Sequence, residues 1–436
     1  MAPQVSEHFL SRQPSAIRLA QIKFAERNDK VKAINTAIGN VSLPMHPAMI
    51  ERMKNLTAED SPFNDGVVAY SSTVGFEETN KAFLNIIASS GFNTKDLYSQ
   101  ITNGGSQAME LVTLGVCGKT GTSEKPLLLI DAAYTNYGAM AERLGRSTVS
   151  VTRTLQNDGK FTLPELDTIE SKIKETNPGA MVVIPYDNPT GHFLDHQTLS
   201  QLGELCVKYN MWMISDEAYR ELHYVDEDTS SVWGLTDKEV SGIEGRRISI
   251  ETSSKVWNAC GLRIGALVTD NELFHQKAVA ENTADLCSNV IGQYIFGALA
   301  HKEHQDLQQW YAKQRKYYSE MMGTVSKEFK ELMPEIIISS PDASIYSVVD
   351  VKDLASAGFN AQDFVLYCAQ EGKVEIDGEE TTLLVSPMAG FYSVSEGSEN
   401  PGKTQMRIAY VASPEEMKLV PRLFKELFEQ YESNRN

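Results

Sequence analysis

The strongest constraint on the fold is a rhythm in the middle of the chain. Short apolar runs, several of them β-branched and bounded by Gly, Pro or Asp, alternate with stretches of helical spacing. The runs read as strands over residues 100–102, 127–131, 147–151, 181–185, 212–216, 247–251 and 264–268. Segments such as 106–115 and 199–209 carry the helical spacing between them. Repeated strand–helix alternation implies the α/β class, with a seven-stranded, mostly parallel sheet covered by helices on both faces. Ligands of such sheets bind beyond the carboxyl ends of the strands, so chemistry is expected there.

The rhythm stops near residue 301. A long amphipathic helix over 304–333 ends before Pro334, and short strands follow at 336–339, 345–349, 383–385 and 405–409, with a last helix over 414–431. This pattern implies a smaller α+β domain. The expected division is an N-terminal arm with part of the small domain over 1–45, a large domain over 46–320 and a small C-terminal domain over 321–436. A stretch rich in Ser, Glu, Gly and Pro at 395–403 reads as an exposed loop.

Composition narrows the function. Lys+Arg 40 against Asp+Glu 58 leaves a net charge of −18. A polyanion would be repelled over most of such a surface, so no nucleic-acid partner is expected, while a small anion at a local site remains compatible. No apolar run approaches the ~20 residues of a membrane span, and the first ten residues lack a basic stretch followed by an apolar one. The five cysteines, Cys117, Cys206, Cys260, Cys287 and Cys368, are widely spaced without a CxxC pair. They read as reduced core residues of a cytoplasmic protein.

Four segments at strand ends carry the chemistry. Lys255 follows a strand in Glu251-Thr252-Ser253-Ser254-Lys255, and Arg263 comes eight residues later. A lysine beside an arginine and small hydroxyls suits a Schiff base, because neighbouring positive charge disfavours the ammonium form, and the same groups can hold a phosphate. Taken alone, Lys255 reads as a solvated surface lysine. Asp216 closes the run Met211 to Ser215, and a carboxylate at the end of a buried strand needs a partner such as a pyridinium N–H. In isolation it reads as a helix N-cap. Asn188, in Tyr186-Asp187-Asn188-Pro189-Thr190-Gly191, offers an amide donor for a phenolate, or belongs to an ordinary turn stiffened by Pro189 and open to a cis bond. Asn103-Gly104-Gly105-Ser106-Gln107 joins a strand to a helix, where glycines and helix N–H groups admit an anion. It is too short for a dinucleotide fingerprint and lacks the P-loop lysine.

Together the four segments resemble the aspartate-aminotransferase superfamily of fold type I pyridoxal-phosphate (PLP) enzymes. The match is Asn-Pro-Thr-Gly, then Asp-x-x-Tyr, then Ser-Lys with Arg eight residues on, and it runs from about Asn35 to the C-terminus. The resemblance implies an aminotransferase that moves the α-amino group of an L-amino acid to a 2-oxo acid by a ping-pong mechanism, with Lys255 as the Schiff-base lysine. It implies Asp216 on the pyridine nitrogen, Asn188 and Tyr219 on the phenolic oxygen and Tyr134 stacked on the ring. Gly105, Ser106, Gln107, Thr252 and Arg263 would line the phosphate. Tyr70 would reach the phosphate of the neighbouring subunit in a homodimer with shared sites. Gly39, Asn188 and Arg407 would face the substrate, Arg407 clamping its α-carboxylate.

The chain departs from the family pattern twice. Where the family carries Pro-x-Tyr-Pro, this chain has Ala132-Ala133-Tyr134-Thr135. Where aspartate-preferring members carry an arginine before a Ser-Asn pair, Ser288-Asn289 follows a stretch 282–287 without one, which argues against dicarboxylate specificity by that route. Asp285 and Glu281 nearby would favour a cationic substrate if they faced the site, but read first as solvated charges. His301 and His304 read as a solvated helix face, and no metal is expected. Trp310, Tyr311, Tyr317 and Tyr318 read as core and interface contacts of the long helix. The rival readings are a PLP-dependent lyase or amino-acid oxidase on the same fold, and a regulatory module that binds PLP or an amino acid. The presence of Lys255 counts against the last.

Overall fold

The computed structural model describes residues 3–122, 124–394 and 397–435. Two compact units emerge. The larger comprises Asn40–Glu320 and Ser339–Tyr346, and the smaller comprises the chain up to Gly39, Met321–Ile338 and everything from Ser347 onward.

The larger unit is built on seven strands: β1 (Tyr98–Thr102), β2 (Leu127–Asp131), β3 (Thr148–Thr152), β4 (Ala180–Val183), β5 (Trp212–Asp216), β6 (Arg247–Thr252) and β7 (Gly265–Thr269). Their order is β1-β7-β6-β5-β4-β2-β3. All neighbouring pairs are parallel except those of β7, which runs antiparallel to both β1 and β6. Residues 253–264 join β6 to β7 with no α-helix between them, which suits a return rather than a crossover. The expected strand over 181–185 ends earlier, at Val183. Tyr186 instead forms an antiparallel bridge with Phe193, and the Leu194 N–H donates to the Pro185 carbonyl.

The inner strands β2, β4 and β7 are buried along their whole length, as their apolar sequence requires, whereas the edge strand β3, with Thr and Ser among its residues, is only partly buried. Val112 and Val116 of the helix Gly104–Cys117 share one core with Leu129, Val182, Ile214, Ile250 and Leu267 of the sheet. Trp310, Tyr311 and Tyr318 of the helix His304–Leu332 are buried, so the aromatic run belongs to the core.

In the smaller unit, Lys32–Asn35 pairs parallel with Glu379–Leu384, which pairs antiparallel with Val374–Ile376. A four-stranded sheet orders Ile337–Ile338, Tyr346–Asp350, Gln405–Ala409 and Ser386–Pro387. The last helix spans Pro414–Arg435, longer than its apolar spacing suggests. Of the expected loop over 395–403, residues 395 and 396 lie outside the described residues, and Pro401–Lys403 forms a short 3₁₀ turn.

All five cysteines are free; Cys117, Cys206 and Cys368 are core residues as expected, but Cys260 and Cys287 are only half-buried, because they lie on connections outside the strands and long helices. Among the described residues no helix is long and apolar enough to cross a membrane, and no group of three or more His, Cys, Asp or Glu side chains could hold a metal ion.

Candidate active site

Register brings the sequence-predicted segments of the larger unit to one edge of the sheet. Gly265, the first residue of β7, pairs with Thr102 on one side and Thr252 on the other. The chain beyond Thr102 therefore turns into Gly104–Cys117 beside the chain that leads from Thr252 to Lys255. The approach is close: a Cβ on Gly265 would stand 2.5 Å from the Gly104 carbonyl carbon and 2.7 Å from the Gly105 nitrogen. Gly104 adopts φ 76°, which favours glycine.

The start of Gly104–Cys117 has no side-chain cap. Its first N–H groups carry the positive end of the helix dipole. Arg263, at φ 53°, brings a second positive charge there: Nη2 donates to the Asn103 carbonyl at 3.4 Å and Nη1 to the Cys260 carbonyl at 3.0 Å. Gln107 spends its side chain on structure. Its Oε1 accepts from the Asn103 N–H at 2.7 Å, and its Nε2 donates to Asn282 Oδ1 and Asp285 Oδ2, each at 2.9 Å. Asp285 is exposed but holds this bond, so it is more than a solvated charge.

Lys255 is half-buried on the β6–β7 connection. Its neighbours are pinned: Trp310 Nε1 donates to the Val256 carbonyl at 2.8 Å, Asn258 Nδ2 to the Pro44 carbonyl at 3.0 Å, and the Ser253 hydroxyl to the Ile264 carbonyl at 2.9 Å. Thr252 donates its hydroxyl to Ser254 Oγ at 2.8 Å.

Asp216 ends β5 and is 8% exposed. Its Oδ1 accepts from the Ala218 N–H at 3.1 Å, which forms a turn where an N-cap and helix were the isolated reading. Its Oδ2 accepts from the Tyr137 hydroxyl at 3.0 Å. Burial pushes the carboxyl up to about 6, against the pull of those two donors. Tyr137 is a residue that sequence reasoning missed. It lies three residues after Tyr134, and their rings meet edge to face at 6.3 Å. That i,i+3 spacing was the available signal.

Behind Asp216 lies a buried charge cluster, also unforeseen. Arg220 Nη2 sits 2.6 Å from Glu251 Oε1 and 3.5 Å from Glu217 Oε2. Ser215 and Ser231 donate to Glu217, and Ser249 donates to Glu251. Burial and the Glu251 charge raise the Glu217 carboxyl, and Arg220 opposes them.

Asn188 is buried next to Asp187, and its bond to Pro189 is cis. Tyr219 is buried, with its hydroxyl 2.6 Å from that of Tyr346. Tyr134 is half-buried, and Asn136 Nδ2 donates to its hydroxyl at 2.9 Å. Tyr70 is 79% exposed, far from the others in burial. Gly39 and Arg407 belong to the smaller unit. There Arg407 is 4% exposed, donates from Nη2 to the Ala37 carbonyl at 2.7 Å and lies 5.1 Å over the Phe391 ring.

Residues 31–417 match the family described as aminotransferase class I and II. The chain belongs to the class I and II aminotransferases. An uncharacterised aminotransferase of Saccharolobus solfataricus is 25% identical over 297 residues, 66% of this chain and 70% of that protein. The aspartate aminotransferase of Bacillus subtilis is 25% identical over 58% of this chain, but only 62% of its own length is matched. Among solved structures, a Thermus thermophilus aspartate aminotransferase mutant superposes with a TM-score of 0.79 at 18% identity, over 98% of this chain and 100% of that one. A Pyrococcus horikoshii kynurenine aminotransferase, solved with PMP, superposes at 0.77 and 19% over 98% and 97%. These likenesses establish the aspartate-aminotransferase fold.

Pyridoxal phosphate is the cofactor of this family of enzymes. The residues present fit it. An uncapped helix start beside a guanidinium matches a phosphate, and a buried carboxylate with only two uncharged donors matches a protonated ring nitrogen.

Proposed function

We propose that this enzyme transfers the α-amino group of an L-amino acid to a 2-oxo acid in two half-reactions, with Lys255 as the covalent anchor of PLP. The observation that carries the reading is the pairing of chemistries at one sheet edge: Asp216 buried at the end of β5, and Lys255 beyond β6 next to the anion cradle of Gly104–Cys117.

When bound, PLP supplies an electron sink that makes the substrate Cα–H acidic. The residues of the chain do the rest. Asp216 keeps a proton on the ring nitrogen. Asn188 and Tyr219 donate to the phenolic oxygen, and the Tyr134 ring covers one face. Gly105, Ser106, Thr252 and Arg263 hold the phosphate, with Gln107 bracing the helix start. Once the substrate amine had taken its place, Lys255 Nζ would be the base that takes the Cα proton from the amino donor and delivers it to the cofactor carbon that keeps the amino group; with the 2-oxo acid it would carry a proton the opposite way. Arg407 would clamp the substrate α-carboxylate bidentately, beside Gly39, and so orient the substrate. The enzyme works as a cytoplasmic homodimer in which Tyr70 serves the phosphate of the other subunit.

The test is a coupled incubation with an amino acid and either 2-oxoglutarate or pyruvate. Transfer of the amino group to the acceptor supports the reading. Net ammonia release points to a lyase or an oxidase, and no turnover with any of the twenty amino acids points to a binding module.

A further inference from the structure

One guanidinium ties together the two loops that carry Tyr134 and Asn188. Arg153 directly follows β3 and is 2% exposed. Toward the first loop, its Nη2 donates to the Ile130 carbonyl at 3.0 Å and its backbone N–H to the Asp131 carbonyl at 2.7 Å. Those carbonyls close β2, immediately before Ala132, Ala133 and Tyr134. Toward the second loop, its Nη1 donates to Thr190 Oγ1 at 3.1 Å and stands 3.0 Å from Asp187 Oδ2. Asp187 is fully buried, and its Oδ1 accepts from both the backbone N–H of Thr190, at 3.0 Å, and its hydroxyl, at 2.5 Å. The Ser344 hydroxyl closes the arrangement by donating to the Asp187 carbonyl at 2.7 Å. Asn188 and Pro189 are therefore bracketed by two residues that Arg153 holds.

A buried ion pair is weak support for stability, because desolvation offsets much of the Coulombic gain. A planar guanidinium with several donors is, however, well suited to fixing the distance between two backbones. Burial pushes the Asp187 carboxyl up, and the Arg153 guanidinium beside it opposes that push.

We propose that Arg153, with Asp187 and Thr190, is a positioning residue that sets the place of the Asn188 amide and the Tyr134 segment, and through them the electronic state of bound PLP. The inference rests on the reading above that Asn188 and Tyr134 contact the cofactor.

The test uses PLP-loaded enzyme and follows the visible absorbance of the bound cofactor against pH. Arg153→Met is made together with Asp187→Asn, so that neither charge is stranded. Donation from Asn188 to the phenolic oxygen favours the deprotonated cofactor, so its loss moves the midpoint upward by about one pH unit. Asn188→Ala sets the reference shift. Because Arg153 acts on the phenolic oxygen through Asn188, the variant carrying all three substitutions should shift no further than Asn188→Ala alone, whereas independent effects would add. If the double variant does not fold, Thr190→Val removes only the bridging hydroxyl and should shift the midpoint in the same direction. A titrating band in the wild type with an unmoved midpoint in the folded variant overturns the role of Arg153 alone. A purely additive shift also overturns it. Absence of any lysine-linked absorbance in the wild type overturns the functional reading itself.

Discussion

Tyr137→Phe isolates the hydroxyl that faces Asp216 and leaves the ring in place. In cofactor-free protein the Asp216 carboxyl is raised from 3.8 to about 6, chiefly by burial. A folded-state value above the unfolded one means that the native state binds this proton more tightly. The associated stability is fully present below about pH 4 and is lost as pH rises through about 6, roughly 3 kcal/mol in all. Above that window Asp216 is ionised, and the Tyr137 bond at 3.0 Å then has a charged acceptor. A bond to a charged acceptor contributes about 1.5–3 kcal/mol, against about 0.5–1.5 for a neutral one. Tyr137→Phe should therefore cost on the order of 1 kcal/mol more at pH 8 than at pH 5. Urea unfolding of the cofactor-free protein at the two pH values measures it. Equal losses at both, or a larger loss at pH 5, would refute the charged contact between Tyr137 and Asp216.

Other expectations follow from the same geometry. Lys255→Ala should still bind PLP but without a covalent link, seen as loss of the lysine-linked absorbance band, and should lose turnover by at least about 10²–10⁴-fold. Arg407→Ala should lower kcat/KM at least about tenfold for every amino acid tested, since a charge-assisted contact contributes about 1.5–3 kcal/mol; a loss confined to one side-chain class would move Arg407 to specificity. Arg220→Met should destabilise the larger unit by about 3–5 kcal/mol in denaturant unfolding, because it leaves Glu217 and Glu251 facing each other without their shared cation. Mixing Tyr70→Phe with Lys255→Ala under subunit exchange should restore activity above the sum of the parents, provided that Tyr70→Phe alone first shows weakened PLP retention; additive activity with exchange confirmed by mass removes Tyr70 from a shared site.

The central strands were legible because most are apolar runs buried on both faces, as at Leu127–Asp131, Ala180–Val183 and Gly265–Thr269, whereas Tyr98–Thr102 and Thr148–Thr152 are more polar and show instead through β-branched residues and alternation with helices. Only their ends moved, as at Val183, where the chain leaves the sheet to form the Tyr186–Phe193 bridge. Lys255, Asp216 and Asn188 were legible because each directly follows such a run. The residues that support them were not. Glu217, Arg220, Glu251 and Arg153 are charged, and charge in a sequence reads as surface; what compensates their burial is an ionic partner, and for Arg220 with Glu251 and Arg153 with Asp187 that partner is more than 30 residues away. Tyr137 reads as one more apolar residue on a helix, and its acceptor lies 79 residues away. Gln107 was placed correctly at the helix start, but the side-chain bonds that occupy it reach residues 282 and 285, beyond any local pattern.

The place of β7 has a consequence for how the molecule is made. β1 finds its only sheet neighbour in a strand whose first residue, Gly265, lies 163 positions after Thr102. At translation speeds of about 5–20 residues per second, β1 waits roughly 8–30 s for its partner, with one edge open to mispairing. Until β7 is inserted, nothing holds Thr102 and Thr252 in the register that Gly265 gives them, so the anion cradle is not yet set in a nascent chain. PLP is then a ligand of the finished larger unit alone. At a hundredfold excess over its dissociation constant, such a ligand adds about 2.7 kcal/mol to the native state. The degree of PLP loading would therefore set how well this protein resists unfolding as well as how much of it works.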